Sequence, residues 1–240
     1  METTVDEIQD GIYRISTFLK EADFMFNQFL VQADQPLLFH CGPKGLFSSV
    51  SQAVARVTPL KRLRWISFGH FEADESGTMN DWLAAAPDAQ VAVGEIGCMV
   101  SINDLALRPP KPLKDGETID LGGKQVRYLA TPHVPHGWDA AVMFEETTRT
   151  LFCGDLFTSM GASPAVSEDD PVPPAFAAED IFLATALTPN TAPTLNRLAD
   201  RQPVMLALMH GPAFRGDGGD ALRRLATGYA RRFTESLQKS

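Results

Sequence analysis

Apolar segments with the patterning of β-strands recur along this chain, and helical segments follow them in each half. A hairpin is expected across Gly122-Gly123, between strands at 117–121 and 124–130. The other predicted strands are residues 11–18, 26–32, 36–40, 63–68, 90–93, 140–144, 150–153 and 204–209, and the predicted helices are residues 47–57, 78–86 and 94–103. After residue 180 the chain is mostly helical around that last strand, and residues 163–174 predict a loop. This order predicts an α/β fold in which two similar half-domains pack their sheets face to face, with helices outside.

Composition excludes several classes of protein. The chain has 240 residues, of which 44% are apolar and 21% charged, so a single globular domain spanning residues 1–240 is expected. Its longest apolar run, residues 204–209, is far shorter than the roughly 20 residues of a membrane helix, and no export signal is visible. A formal charge of −9 argues against a nucleic-acid partner. Neither a membrane nor a nucleic acid is therefore an expected partner.

The cysteines indicate a reducing compartment. Cys41, Cys98 and Cys153 are an odd number, and none forms a Cys-x-x-Cys pair. This usage is typical of a cytoplasmic protein rather than of a disulfide framework or a thiolate zinc site. The three are expected to be small buried side chains.

A histidine and three carboxylates follow the predicted strand at residues 63–68. They are His70, Glu72, Asp74 and Glu75. Carboxylates a few ångströms apart repel one another, so they must take up protons or be neutralised by a multivalent metal. In an extended segment residues 70, 72 and 74 share one side and could reach one centre. A solvated acidic turn that caps a helix explains the segment equally well, so this motif alone leaves both interpretations open.

Three further predicted strands end in residues of the metal-ligating type. His133 and His136 follow the strand at 124–130, Asp155 follows the strand at 150–153, and His210 follows the strand at 204–209. Three histidines with three or four carboxylates suit iron or manganese, and zinc also accepts this donor set. Two divalent ions would nearly neutralise such a group of carboxylates.

These residues resemble the metallo-β-lactamase superfamily, whose αββα sandwich collects metal ligands from loops at strand ends. Its usual first motif is His-x-His-x-Asp-His, whereas this chain has Glu72 in place of the second histidine and Glu75 in place of the last. The di-iron domain of the flavodiiron proteins, with His-x-Glu-x-Asp followed by histidine, is more similar. The stand-alone oxygen-binding di-iron proteins related to them are more similar still, because they lack a flavodoxin module. The resemblance covers nearly the whole chain and implies neither a flavodoxin domain nor FMN.

The resemblance implies a role for each ligand. His70, Glu72 and His136 would hold one iron, Asp155 would bridge, and Asp74 and His210 would hold the other iron. His136 is preferred to His133 because it precedes Asp155 by 19 positions, the offset expected from the flavodiiron pattern. Whether Glu75 also coordinates is left open.

Other residues near the expected centre have supporting or structural interpretations. His133 is either a hydrogen-bond partner of a ligand, a gate over an open coordination position, or an ordinary loop histidine. His40 stands where superfamily members often carry an aspartate that supports the site, and a buried, hydrogen-bonded histidine is the favoured interpretation. Aromatic and thioether side chains either make the pocket apolar or pack in the core: Phe71, Trp138, Phe157 and Met160.

Two functions follow from the resemblance. The leading hypothesis is a pair of ferrous ions that binds dioxygen in an apolar pocket and passes electrons to it. Flavodiiron relatives reduce oxygen or nitric oxide with electrons from an attached flavin domain, so this chain is expected either to use a separate redox protein or to act as a sensor with a signalling partner. A homodimer is left open. The alternative is a dinuclear hydrolase of a thioester, lactone or phosphodiester.

Overall fold

Two β-sheets pack face to face, and each carries helices on its outer surface. A computed structural model describes the chain from residue 2 to residue 239. Within that range the first sheet has seven strands in sequence order. They are β1 (Thr3–Gln9), β2 (Ile12–Leu19), β3 (Phe24–Val31), β4 (Leu37–Phe39), β5 (Trp65–Ser67), β6 (Gln90–Gly94) and β7 (Lys111–Leu113). Strands β1 to β4 are antiparallel and β4 to β7 are parallel.

The second sheet also has seven strands in the described part of the chain. They are β8 (Thr118–Asp120), β9 (Gln125–Ala130), β10 (Ala141–Glu145), β11 (Thr150–Phe152), β12 (Val166–Ser167), β13 (Met205–Ala207) and β14 (Ala213–Arg215). Their spatial order is β12, β14, β13, β11, β10, β9 and β8. The parallel pairing of β11 with β13 brings their carboxyl ends to the same edge of the sheet.

The helices cover the two outer faces. They are α1 (Phe47–Ala55), α2 (Ala73–Ser76), α3 (Met79–Ala85), α4 (Glu95–Gly97), α5 (Asn103–Leu105), α6 (Val172–Phe182), α7 (Thr191–Ala199) and α8 (Gly218–Lys239), with a π-helical turn at Cys98–Ile102 and 3₁₀ turns at Lys44–Leu46 and Leu60–Arg62. No helix between residues 2 and 239 has the length and apolar character needed to cross a membrane.

Three apolar clusters hold these layers together. One lies between the sheets and includes Phe29 and Phe39, whose rings pack in tilted orientations against that of Phe152. A second lies between the first sheet and helices α1 and α3, and a third lies between the second sheet and helices α6 to α8. Successive residues of a strand face opposite sides, so Leu38 joins the outer cluster while Leu37 and Phe39 join the inner one. This is the αββα sandwich that the strand and helix order predicts.

The sequence patterns missed several short or polar strands. Strand β1 has a mostly polar sequence, and β7 contains a proline, so neither has the alternation of a strand. The prediction of one strand after residue 180 was wrong, because β14 pairs with β13 there. The loop predicted at 163–174 contains β12 and the start of α6. These segments gain their hydrogen bonds from a neighbouring strand, which local patterning does not reveal.

Candidate metal centre

Loops that follow four strands, β5, β9, β11 and β13, bring polar residues to one edge of the sandwich. His70, Asp155 and His210 lie three residues after the ends of β5, β11 and β13, respectively. Backbone hydrogen bonds hold these loops in place, from Ala141 N of β10 to the Gly69 oxygen at 2.8 Å and, between two of the loops, from Met209 N to the Gly154 oxygen at 3.3 Å. The strand ends therefore fix the relative positions of the side chains that follow them.

One group of four side chains has the arrangement of a metal site. His70, Glu72, His136 and Asp155 each offer one donor atom, and these atoms all lie within 4.8 Å of one another. His70 Nε2 is 2.7 Å from Glu72 Oε2 and 3.8 Å from Asp155 Oδ2. His136 Nε2 is 3.2 Å from the same glutamate oxygen and 3.3 Å from the same aspartate oxygen.

Asp155 connects this group to a second one. Its Oδ2 faces His70 and His136, while its Oδ1 lies 3.5 Å from His210 Nε2. The same histidine nitrogen is 3.4 Å from Asp74 Oδ2. Each oxygen of one carboxylate therefore serves a different group of ligand atoms, which is the geometry of a bridging carboxylate.

The donor set fits two divalent ions. Ligand atoms about 2.1 Å from one tetrahedral ion stand roughly 3.4 Å apart, close to most of the separations within each group. All three histidines present Nε2 to the cluster, and every remaining donor is a carboxylate oxygen. Histidine with several carboxylates suits iron and manganese, and it also accepts zinc.

The distal ring nitrogens of two of these histidines are held by the fold. His210 Nδ1 lies 2.8 Å from the Met25 carbonyl oxygen, and His70 Nδ1 lies 3.2 Å from Glu75 Oε1. When the Nδ1–H of an imidazole is directed at an acceptor, loss of the other ring proton leaves the lone pair on Nε2, the atom that faces the carboxylates. His136 Nδ1 is buried without a hydrogen-bond partner among the described residues.

Glu75 lies behind His70 rather than in either group of donor atoms. Residues 73–76 form a helical turn, not the extended segment assumed from the sequence. Successive helical residues point about 100° apart, so Asp74 faces His210 while Glu75 turns towards the protein interior. The structure therefore brings together six of the seven expected ligand residues.

Protonation holds the cluster together when metal is absent. Burial opposes the charged form of His70, but its hydrogen bonds to Glu72 and Glu75 outweigh that effect and raise its pKa to about 11. Burial likewise opposes the charge on His210, and its bonds to Asp155 and Asp74 raise its pKa to about 10. Hydrogen bonds to His136 and His70 lower the pKa of Glu72. Metal binding must displace these protons.

Asn27 supports the centre and was missed by sequence analysis. Its Nδ2 donates to the carbonyl oxygens of Leu208 and Gly211, each at 2.8 Å, and its Oδ1 accepts from Ser16 Oγ. These bonds brace the loop that carries His210. The available signal was a polar residue inside the apolar strand β3, because such a residue must satisfy its hydrogen bonds internally.

His40 and His133 differ in position. His40 is fully buried, and its Nδ1 lies 3.2 Å from the Asn27 carbonyl oxygen, as expected of a hydrogen-bonded core histidine. Burial lowers its pKa. His133 is exposed, and no side-chain hydrogen bond or ion pair joins it to the cluster within residues 2–239. The structure does not bring His133 to the ligands.

A cavity of about 320 Å³ opens onto the cluster. Its walls include the rings of Phe24, Phe26, Phe157 and Phe182, and the first two meet the His210 ring edge-on. Of the four apolar residues singled out in the sequence, only Phe157 lines it, while the others are surface side chains that are at least 40% exposed: Phe71, Trp138 and Met160. The three cysteines are buried and unpaired, as expected.

Comparison with known proteins gives the family. The model of the ODP family of β-lactamases matches residues 24–211. A putative diflavin flavoprotein A 2 from Synechocystis sp. is 25% identical over 192 residues, which are 78% of this chain and 33% of that relative. The chain spans about a third of the length of the curated relatives it matches.

Solved structures show the same fold. Rubredoxin oxygen:oxidoreductase from the anaerobe Desulfovibrio gigas superimposes with a TM-score of 0.80 at 21% identity, over 96% of this chain and 62% of that one. A fragment of putative diflavin flavoprotein A 5 from Nostoc sp. gives 0.77 at 18% identity, over 99% and 98% of the two chains. A β-lactamase-type sandwich with a histidine–carboxylate cluster at its edge defines the class. The chain belongs to the ODP family of β-lactamases, and it is similar to diflavin flavoproteins and to a flavodiiron core of known structure.

Proposed function

We propose that this chain binds two iron ions at the described cluster and uses them to bind dioxygen. The observation that carries the proposal is the position of the Asp155 carboxylate, whose two oxygens face separate groups of histidine and carboxylate donors. His70, Glu72 and His136 would complete one ion's ligands, and Asp74 and His210 the other's. Ferrous iron supplies electrons that dioxygen can accept.

The surrounding residues favour a small uncharged ligand. Phe24, Phe26, Phe157 and Phe182 line the cavity that leads to the cluster, so water is held away from much of its wall. The fold holds Nε2 of His70 and His210 towards the centre through the distal ring nitrogens. Such preorganised ligands lose little freedom when metal binds. The name of the rubredoxin oxygen:oxidoreductase relative agrees with dioxygen as the ligand.

The test is elemental analysis of protein purified without oxygen, followed by its optical spectrum before and after air is added. We expect two irons per chain and a new visible absorption band. Asp155→Asn should reduce the iron content below one per chain, because both groups lose their shared ligand. Asp115→Asn is the matched control, since Asp115 is a half-exposed partner of Arg197 on the surface. A zinc-loaded protein without a visible band would contradict the proposal and favour the hydrolase.

Continuous consumption of dioxygen distinguishes a reductase from a sensor. With an artificial electron donor in excess, a reductase consumes dioxygen continuously, whereas a sensor takes up one equivalent and stops. Oxygen-electrode traces of the iron-loaded protein distinguish these outcomes. Asp155→Asn should abolish either response.

A further inference from the structure

The Glu75 carboxylate is buried beside the cluster but directed away from the other carboxylates. Its side chain is fully inaccessible to solvent. Oε2 accepts hydrogen bonds from the backbone N–H of Gly69 and of His70, the latter at 3.0 Å. Oε1 lies 3.2 Å from His70 Nδ1. Three neighbouring nitrogens thus belong to His70 or to the residue before it, and the buried His40 Nε2 lies 3.6 Å from Oε2.

Two glycines make room for this carboxylate. A Cβ at Gly69 would lie 3.0 Å from Oε2 and 3.1 Å from Oε1 of Glu75, and a Cβ at Gly154 would lie 3.3 Å from Oε1. Gly69 precedes His70 and Gly154 precedes Asp155, so the chamber is built from the loops that carry two expected ligands. A larger residue in place of Gly69 or Gly154 would force the Glu75 carboxylate or the loop to shift.

The chamber offers hydrogen-bond donors to the Glu75 carboxylate. Two backbone N–H groups face Oε2, and the ring nitrogens His70 Nδ1 and His40 Nε2 lie 3.2 and 3.6 Å from the carboxylate oxygens. When Nδ1 of an imidazole donates, the ring's lone pair is on Nε2. In His70 that atom is the one that faces Glu72 and Asp155. Glu75 therefore selects the tautomer and the ring orientation that a metal requires.

We propose that Glu75 is a positioning residue, which holds His70 Nε2 towards the metal and does not itself coordinate. The inference rests on the proposed function only in that the cluster binds metal. It assigns a different role to the position that corresponds to the last histidine of the flavodiiron motif. The nearby negative charge also makes His70 a stronger donor to the metal.

The test compares Glu75→Gln with Glu145→Gln by cobalt(II) titration against a competing chelator. Glu145 is also fully buried and accepts hydrogen bonds from Thr147 and Thr148, so it is a matched control outside the cluster. Loss of a carboxylate that orients a ligand weakens metal binding by about 10- to 100-fold. We expect that loss for Glu75→Gln, with two cobalt ions still bound at saturation, and unchanged affinity for Glu145→Gln.

A second measurement reports on His70 directly. In the cobalt-loaded protein the Nδ1–H of a coordinated histidine gives a proton resonance shifted far outside the ordinary range. The His70 signal, assigned by its loss in His70→Ala, should exchange slowly with deuterated water in the wild type and faster in Glu75→Gln. If Glu75→Gln fails to fold, rapid exchange of this signal in the wild type would still overturn the proposal.

The remaining outcomes are decisive. Loss of one cobalt at saturation in Glu75→Gln, with a changed ligand-field spectrum, would make Glu75 a ligand. If Glu75→Gln changes neither the cobalt affinity nor the exchange rate of the His70 Nδ1–H signal, Glu75 has no role in positioning His70. A wild type that binds cobalt normally, but whose iron form ignores dioxygen, would overturn the proposed function and leave the role of Glu75 standing. A wild type that binds no divalent metal would overturn both.

Discussion

Buried carboxylates act in two ways at the scale of single residues. Glu75 and Asp155 lie at the candidate centre, where N–H and imidazole donors surround them. Glu145 lies at the end of β10, where it accepts hydrogen bonds from Thr147 N at 3.0 Å and Thr148 N at 2.7 Å. Its role is to close a turn. The type of residue is the same, and the surrounding donors decide the role.

Glu145→Gln should make stability less sensitive to acid. Burial opposes the charge on Glu145, but hydrogen bonds from Thr148 and Thr147 outweigh it and lower its pKa below 4.5. Its stabilisation is therefore present above pH 4.5 and is lost as the pH falls through the lowered pKa. At pH 7 the variant should lose about 1–3 kcal/mol. Urea unfolding of the wild type and the variant at pH 7 and pH 3.5 checks this. A difference in unfolding free energy between the two proteins that does not shrink at low pH would contradict it.

Among the secondary-structure elements, helices α6 and α8 together form one wall of the cavity. Glu179 of α6 accepts hydrogen bonds from Thr185 Oγ1 at 2.6 Å and Tyr229 Oη at 3.2 Å. These bonds secure the turn at Leu183, which has a left-handed backbone with φ of 50°. Gly228 of α8 faces Phe176 of α6 so closely that a Cβ would lie 2.1 Å from the ring. The glycine thus sets how near the two helices approach.

Gly228→Ala should destabilise the protein, although alanine is the better helix former. Helix propensity alone would favour alanine by about 1 kcal/mol. Overpacking against Phe176 costs about 1–3 kcal/mol, so the net loss should reach up to about 2 kcal/mol. Phe176→Ala made alone and together with Gly228→Ala completes a double-mutant cycle in chemical denaturation. Additive losses would show that the ring and the glycine do not interact.

The cluster joins both sheets at the scale of the whole molecule. His70 follows a strand of the first sheet, whereas Asp155 and His210 follow strands of the second. Ions bound between these loops, as proposed, would connect the two halves of the sandwich. An ion that binds only the folded state stabilises it by mass action.

Metal removal should lower the melting temperature. At a free metal concentration 100-fold above Kd the stabilisation is about 2.7 kcal/mol, which corresponds to about 5–10 °C for a protein of this size. Scanning calorimetry with and without a chelator measures the difference. Asp155→Asn is the control, because a chain that has lost its metals should no longer respond. An equal response in both proteins would show that the chelator acts elsewhere.

The local sequence determined which residues are candidate ligands and that they follow strand ends. Apolar strands followed by His70, Asp155 and His210 predict the αββα fold, and the parallel pair β11 and β13 brings Asp155 and His210 to one edge. Polar and proline-containing strands such as β1 and β7 escaped, since their own sequences lack apolar alternation and only pairing with β2 and β6 makes them strands.

Only the tertiary structure decided what each neighbouring residue does. Asp74 and Glu75 are adjacent acids, and the helical turn at residues 73–76 sends one to His210 and the other behind His70. Asn27 acquires its role from carbonyl oxygens more than 180 residues away. Residue type and spacing therefore specify the candidate donors, whereas side-chain direction and long-range contacts assign their roles, because both depend on packing that no local segment contains.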